Sequence, residues 1–534
     1  MKKTISNILF AALIVFAAAS CQKELSSEAQ SEGLRTITCY METPSDTKGG
    51  GATLPEWHTG DQIWISNGTS SETKTLEAGD IDGNKVTLST SLSGTLYAVC
   101  PASAQNGVTG GKIGIKIPTS TDGAFANAHI SVAQGDGTLS FKNAVTILNI
   151  ATSDEIAAVN ISSTANIAGE FNVTYGPSLT LEAGASQAKS VTLTSSTGGA
   201  RYVAIAPGTA FNTVTFTAIK TATNWAVRTS TSTNSAAINT IYTIGNVANS
   251  GDGWTYTGDN NGSLWGQFSV SADKKVRFSK GNLQAKYNGS SYDWDFAEHQ
   301  YDFVGNNPGN TTIDSQTDGA KVDLFTWVGE GCSYDAYGIN TANTGYSTSE
   351  KTSALKSDWG VAYCNSKSIT PETTWRTLTL GEKGTSGEWY YILSGRSASK
   401  INGTANARYM KCQVNSISGL LLFPDSFAWP TGSGAPAEST ATKINQTGAD
   451  YSVAYTSTEF ATLEAAGAVF LPAGGYRFPT VTDAGSYGGY WSSTHSSSSL
   501  YQAYHFYFLN SNVGTNGNDS CGYGRSVRLV TESN

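Results

Sequence analysis

Charge is scarce in this chain. Asp, Glu, Lys and Arg make up 14% of its 534 residues, against a usual quarter. From Ser486 to Gly524 there is no Lys, Arg or Glu and a single Asp, Asp519. Histidine is rarer still, and His58, His129, His299, His495 and His505 include no pair at the i, i+4 spacing of a zinc site. No Gly-x-Ser-x-Gly elbow or phosphate-cradling loop occurs. Net charge −9 and a pI near 5.2 exclude recognition of nucleic acid or an anionic membrane surface by electrostatics. Cysteines are sparse. Cys39, Cys100, Cys332, Cys364, Cys412 and Cys521 follow the N-terminal Cys21 at wide spacings, which rules out a disulfide scaffold and leaves both bridges and buried thiols open. Past the first twenty residues nothing is apolar for long enough to span a bilayer.

What fills the uncharged C-terminal stretch is informative. Tyr, Ser, Gly and Asn supply 6, 9, 6 and 4 of its 39 positions. Tyr gives large contact area at low entropic cost, while Ser, Gly and Asn give adaptable hydrogen bonding, the mixture that evolved binding loops favour. The expectation is a ligand-binding surface. It is followed by Arg525-Ser-Val-Arg-Leu-Val530, an alternating strand that needs a partner.

The N-terminus reads as an export signal over 1–20. Lys2 and Lys3 precede an apolar run from Ile8 to Ala19, too short and wrongly flanked for a membrane span. Ala-Ala-Ser-Cys21 resembles a bacterial lipobox, which implies that Cys21 is lipidated. The acidic, Ser-rich stretch 21–35 resembles the tether of lipoproteins routed to the outer face of the outer membrane in Bacteroides-type bacteria.

Short alternating runs punctuated by Gly and Asn turns dominate residues 36–248. Ile113, Ile115 and Ile117 form one, Val214, Phe216 and Ala218 another, and Val145-Thr-Ile-Leu-Asn-Ile150 a fuller apolar strand. Length and spacing divide them into β-sandwich lobes over 36–155 and 156–248. Turn formers crowd a linker at 249–262, and an aromatic-rich α+β domain follows over 263–531. One helix is predicted there: Thr456-x-x-Glu459 is a capping box, Phe460 and Leu463 share a face, and Gly467 is a stop.

Two resemblances refine this outline. Asp46-Thr-Lys48, Trp57-x-x-Gly60-Asp61-x-Ile63, Tyr97-Ala-Val-Cys-Pro101, Phe141-Lys-Asn-Ala144 and Tyr202-Val-Ala-Ile-Ala-Pro207 resemble the fimbrillin-like surface proteins of Bacteroides-type bacteria. That implies two transthyretin-like β-sandwich lobes, and assembly with other fimbrillin subunits by donor-strand exchange, a form of β-augmentation. In that family a protease cuts after an Arg near the N-terminus, removing the first strand. Arg35 is the only Arg before residue 201 and the matching candidate. Fimbrillin stalk subunits donate from their C-terminus, whereas this chain continues into another domain, which points to a tip position.

The second resemblance is carried by Val276-Arg-Phe-Ser-Lys-Gly-Asn-Leu-Gln284, Trp294-Asp-Phe-Ala-Glu-His-Gln-Tyr301, Asp323-Leu-Phe-Thr-Trp327 and Leu420-Leu-Leu-Phe-Pro-Asp425. Phe470-Leu-Pro-Ala-Gly-Gly-Tyr-Arg477, Tyr490-Trp-Ser-Ser-Thr494 and Gly524-Arg-Ser-Val-Arg-Leu-Val530 complete it. Together they resemble a C-type-lectin-like domain, akin in fold to formylglycine-generating enzymes. This implies that the first and last strands pair, and that Trp491, Phe506 and Phe508 belong to the core. Some such domains carry a segment rewritten by a diversity-generating retroelement, and 495–523 is compatible with one. The ligand-binding candidates are His495, Tyr501, Tyr504, His505, Tyr507, Asn512, Asn516, Asn518, Asp519 and Tyr523.

The fold class expected is therefore mainly β, two transthyretin-like β-sandwich lobes followed by an α+β C-type-lectin-like domain. The function expected is a cell-surface lipoprotein adhesin or pilus-tip subunit with a glycan or protein ligand. No cofactor and no metal is called for: Cys521 lacks the neighbouring cysteine that copper-holding formylglycine-generating enzymes use, and no calcium-lectin tripeptide occurs. The competing classes are a structural pilus component without a ligand and an enzyme of the formylglycine-generating type.

Overall fold

The computed structural model describes residues 33–43, 45–46, 55–194, 198–248, 254, 256, 262–290, 292–311, 318–327, 359, 375–425, 427–430, 435–438, 442–478, 480–497 and 502–533. The export signal, Cys21, most of the linker 249–262, Tyr501, Cys332 and Cys364 lie outside them. The chain is mainly β, as its alternating runs predict. Among the described residues no helix is long and apolar enough to cross a membrane.

Strand Arg35–Met41 shows why. Ile37 and Cys39 are fully buried and Met41 nearly so, while Tyr40 points out, the period-two signature of a strand with one covered face. It pairs antiparallel with Lys85–Thr90 (Ile37 opposite Leu88) and parallel with Thr138–Asn143 (Met41 opposite Phe141). This places it inside an eight-stranded sheet whose covered face also carries Val86 and Leu139 and is packed by Trp57. Trp64, Val99 and Val132 leave that sheet on its other face and join a second core with Ile113, Ile147, Val159 and Val203. Each such side chain contributes about 1.5–3 kcal/mol by burial.

Pairing crosses the line drawn in the sequence at 155. Lys112–Ile117 lies beside Ala168–Thr174, with Ile115 opposite Phe171, and Ser120–Thr121 runs parallel to Ser190–Thr194. Thr146–Thr152 sits between Gly199–Ile205 and Thr240–Asn246. Sequence spacing marks where strands are and leaves their non-local partners undetermined.

Arg35 is the first residue of its strand, and its guanidinium is held by Asp136 and the Gly94 carbonyl. Residues Thr36–Met41, which follow a cut after Arg35, are paired in the sheet with Lys85–Thr90 and Thr138–Asn143.

Trp265 joins the two halves of the chain. It packs on Ala158 and Ile219 while its indole N–H donates to the Ala465 carbonyl at 2.9 Å. Beyond it, Lys275–Phe278 pairs antiparallel with Leu529–Ser533, Phe278 opposite Val530. This pairing joins the start of the C-terminal part to its end. The helix forms at Ser457–Ala465, with the Thr456/Glu459 capping box in place, Phe460 and Leu463 buried, and Gly467 at φ +96° beyond its end.

Polar residues within the motifs of the second resemblance are buried and bonded to one another. Arg528 donates to Gln300 Oε1 at 2.8 Å, and Asn282 donates to the Tyr490 hydroxyl at 3.2 Å. Cys39, Cys100 and Cys412 are buried free thiols, and burial pushes Cys39 up to about 12.

Asp323, 1% exposed, accepts hydrogen bonds from the Val304 N–H and Asn310 Nδ2, each at 2.7 Å. Burial nonetheless pushes its carboxyl up to about 6, against the opposing pull of those bonds and of Arg477. The native pKa lies above the unfolded one, so the folded state holds a proton that the unfolded chain releases. The stabilising contribution is full below about pH 4 and is lost as pH rises through about 6, worth at most about 3 kcal/mol. Asp323→Asn should remove this slope. The check is the stability difference between wild type and variant, measured by denaturant unfolding across that window. A difference independent of pH would overturn the assignment.

Candidate functional site

The Tyr-rich segment folds into a three-stranded antiparallel sheet, Gly488–His495, Gln502–Leu509 and Asn512–Ser520. Its central strand is apolar on one face and aromatic on both. Tyr504, Phe506 and Phe508 point into a core with Trp389 and Tyr490, Trp389 lying stacked 4.8 Å from Phe506. Ala503, His505 and Tyr507 take the other face, and there the surface is built.

Arg525 is the hub of that surface. Its guanidinium, 2% exposed, lies 5.5–5.9 Å from the ring centres of Tyr476, Tyr487, Trp491 and Tyr523. It donates to the Tyr487 hydroxyl at 2.9 Å and pairs with Asp519. Because a guanidinium can only donate, the Tyr487 hydroxyl hydrogen is directed to His505 Nε2, 3.1 Å away. The imidazole's own hydrogen then sits on Nδ1, which is buried without a partner. Burial holds His505 well below the ordinary histidine range and Arg525 adds to it, so the ring is neutral.

Above Arg525 runs a line of half-exposed rings. Phe478 lies 4.2 Å from Tyr523, Tyr523 is stacked 5.9 Å from Tyr476, Tyr476 stands edge-on 5.6 Å from Tyr487, and Tyr487 is stacked 6.1 Å from Tyr507. Asn512 donates to the Tyr507 hydroxyl at 3.2 Å, and that hydroxyl reaches Asn516 Oδ1 at 3.4 Å.

Glycines let three side chains of this face approach the strands closely. A Cβ on Gly514 would stand 2.5 Å from the Tyr507 ring, one on Gly517 2.3 Å from His505, and one on Gly489 2.3 Å from the Arg525 guanidinium. Glycine inside a strand marks such close approach.

Of the ten sequence candidates, His505, Tyr507, Asn512, Asn516, Asp519 and Tyr523 gather on this face. His495 lies at its far end, 5.4 Å from the buried Trp327. Tyr504 and Asn518 are opposite one another on the other face. Tyr504 is 7% exposed within the core, so it is a packing residue, a correction that follows from strand alternation. Tyr501 lies outside the described residues. Sequence reasoning missed Tyr476, Phe478, Tyr487 and Arg525. The alternation Tyr487, Gly489, Trp491 would have put Tyr487 on the site face, whereas Tyr476, Phe478 and Arg525 arrive from outside the segment and only the fold brings them in.

Among the described residues no three His, Cys, Asp or Glu side chains gather as a metal site. No family model and no curated protein matches this chain. Among solved structures, a candidate cell adhesion protein of Bacteroides uniformis is similar at 16% identity, covering 40% of this chain and 94% of its own, with a TM-score of 0.26. A second from Bacteroides ovatus shares 17% identity over 40% of this chain and 92% of its own, TM-score 0.24. A fimbrial protein of Bacteroides ovatus shares 9% identity over 93% of this chain and 99% of its own, TM-score 0.18. Likeness at this level carries nothing about ligand or partner.

Proposed function

We propose that the chain is a cell-surface lipoprotein adhesin or pilus-tip subunit. In this reading fimbrillin-like sandwiches form the N-terminal part, and the lectin-like domain displays a binding face. The observation that carries it is the line Phe478–Tyr523–Tyr476–Tyr487–Tyr507, half-exposed yet fixed from beneath by Arg525, Asp519 and a glycine floor. Exposed rings immobilised in this way recognise ligands at little entropic cost. Anchoring at Cys21 and placement on the outer membrane belong to the same proposal and rest on the N-terminal sequence.

The test is retention of the protein on glycan and protein arrays. Tyr507→Ser and Tyr523→Ser should each lower it by roughly tenfold or more, while Val227→Ser, at an exposed position remote in the chain, leaves it unchanged. Equal retention by all three would favour a structural component without a ligand at this face. Retroelement diversification is tested separately by sequencing codons 486–530 across closely related strains. Variation at Tyr507, Asn512, Asn516 and Tyr523 with Tyr504 held constant is the pattern this geometry requires, and uniform codons would remove the idea.

A further inference from the structure

We propose that the tyrosine line takes an uncharged oligosaccharide, its sugar faces set on the near-parallel ring pairs Tyr487/Tyr507 and Tyr476/Tyr523, and bound without metal; this rests on the reading of that face as the ligand-binding surface. Three features of the site select the ligand.

The first is charge. Arg525 already occupies the inner faces of Tyr476, Tyr487 and Tyr523 and is neutralised by Asp519, and His505 beside them is neutral. With Arg525 and Asp519 satisfying one another, the face offers no uncompensated charge to pair with a ligand ion, and the guanidinium already takes up the inner faces of the rings that a ligand cation would use. An uncharged ligand needs neither.

The second is shape. Proteins usually anchor an aromatic or Arg side chain in a desolvated pocket. Here Gly514 lets the Tyr507 ring, and Gly489 the Arg525 guanidinium, lie against the strands, and the rings form two near-parallel pairs, Tyr523 with Tyr476 and Tyr487 with Tyr507, set 74° to one another, rather than a socket. A pyranose presents an apolar C–H face of about one aromatic ring in extent, and successive units of a chain present successive faces.

The third is the rim. A sugar lying on a ring turns hydroxyls outward along its edge, and each needs a group that both gives and accepts. The Tyr507 hydroxyl with the Asn512 and Asn516 amides supplies such groups at one end of the line, and the phenol of Tyr523 lies toward the other.

The experiment is an array of uncharged, sialylated and sulfated glycans probed with the full chain, followed by titration of the best uncharged hit. Expected is retention by uncharged oligosaccharides, insensitive to chelator and to salt between about 50 mM and about 500 mM, and reduced roughly tenfold or more by Tyr507→Ser and by Tyr523→Ser. Retention only by acidic glycans, or loss in chelator, would overturn the proposal. If the two substitutions abolish retention on protein arrays while no glycan is held, the face is a protein-binding surface and the glycan reading alone falls. Binding untouched by either substitution removes the face itself. Circular dichroism of both variants should match wild type, since neither ring belongs to the buried core.

Discussion

Asp425→Ala should destabilise the C-terminal half of the protein by about 3–5 kcal/mol, the loss associated with stranding a buried charge. Arg396 has no exposed side-chain surface. It donates to Asp425 Oδ1 at 2.9 Å, to the Phe423 carbonyl at 2.5 Å and to the Ile392 carbonyl at 2.8 Å, beneath the ring of Phe268. Burial lowers its pKa to about 10, which leaves it charged at neutral pH, with Asp425 as the carboxylate facing it. Asp425 also accepts from the Ser269 N–H at 3.0 Å and hydroxyl at 2.6 Å. One side chain therefore ties the edge strand Phe268–Ser269, the Tyr391–Gly395 turn and the loop after Ile417–Leu422 together. Replacing both partners, Arg396→Met with Asp425→Leu, should cost less than Asp425→Ala alone, because both variants take the acceptor from Ser269 but only Asp425→Ala strands the buried guanidinium. Lys275→Ala, removing a partner of Asp425 that is 45% exposed at 3.6 Å, should change stability by under about 1 kcal/mol. Denaturant unfolding of the set measures all three, and a loss below about 1 kcal/mol for Asp425→Ala would show that Arg396 finds other compensation.

How much of this was legible in the sequence depends on the range of the interaction. The capping box at Thr456 and Glu459, and the alternation at Ile113, Ile115 and Ile117, are local signals, and the elements form where they predict. The closing pair of Lys275–Phe278 with Leu529–Ser533 spans the whole domain and followed from the second resemblance rather than from any local pattern. What could not be read is the partner of a strand when many short strands compete, as at 112–121. The charged ends of the motifs were equally opaque. Nothing near Asp425 in sequence announces Arg396 twenty-nine positions earlier, and nothing near Asn516 announces Tyr476. Composition marked the Tyr-rich segment as the candidate surface, but it treated all tyrosines as equal. Parity along a strand separates them, and parity needs the register.

That separation has a measurable consequence. Tyr504→Ser should cost about 3–5 kcal/mol in stability, in the range of truncating a large core aromatic, whereas Tyr507→Ser should cost under about 1 kcal/mol. The two residues are three apart on one strand and differ only in which way they point. Tyr504 is 7% exposed and packs with Phe506, Phe508 and Trp389, so removing its ring opens a cavity against side chains that cannot collapse into it. Tyr507 is half-exposed, its ring resting on Gly514 and its hydroxyl on Asn512. Serine there loses surface contact and opens no void. Binding should sort the other way: Tyr507→Ser removes a ligand contact from a folded protein, while any loss in Tyr504→Ser should track its unfolded fraction and recover when measured at a temperature where the variant is folded. If Tyr504→Ser proves as stable as wild type and still fails to bind, the strand faces the opposite way and the site lies on the Tyr504 side of the sheet.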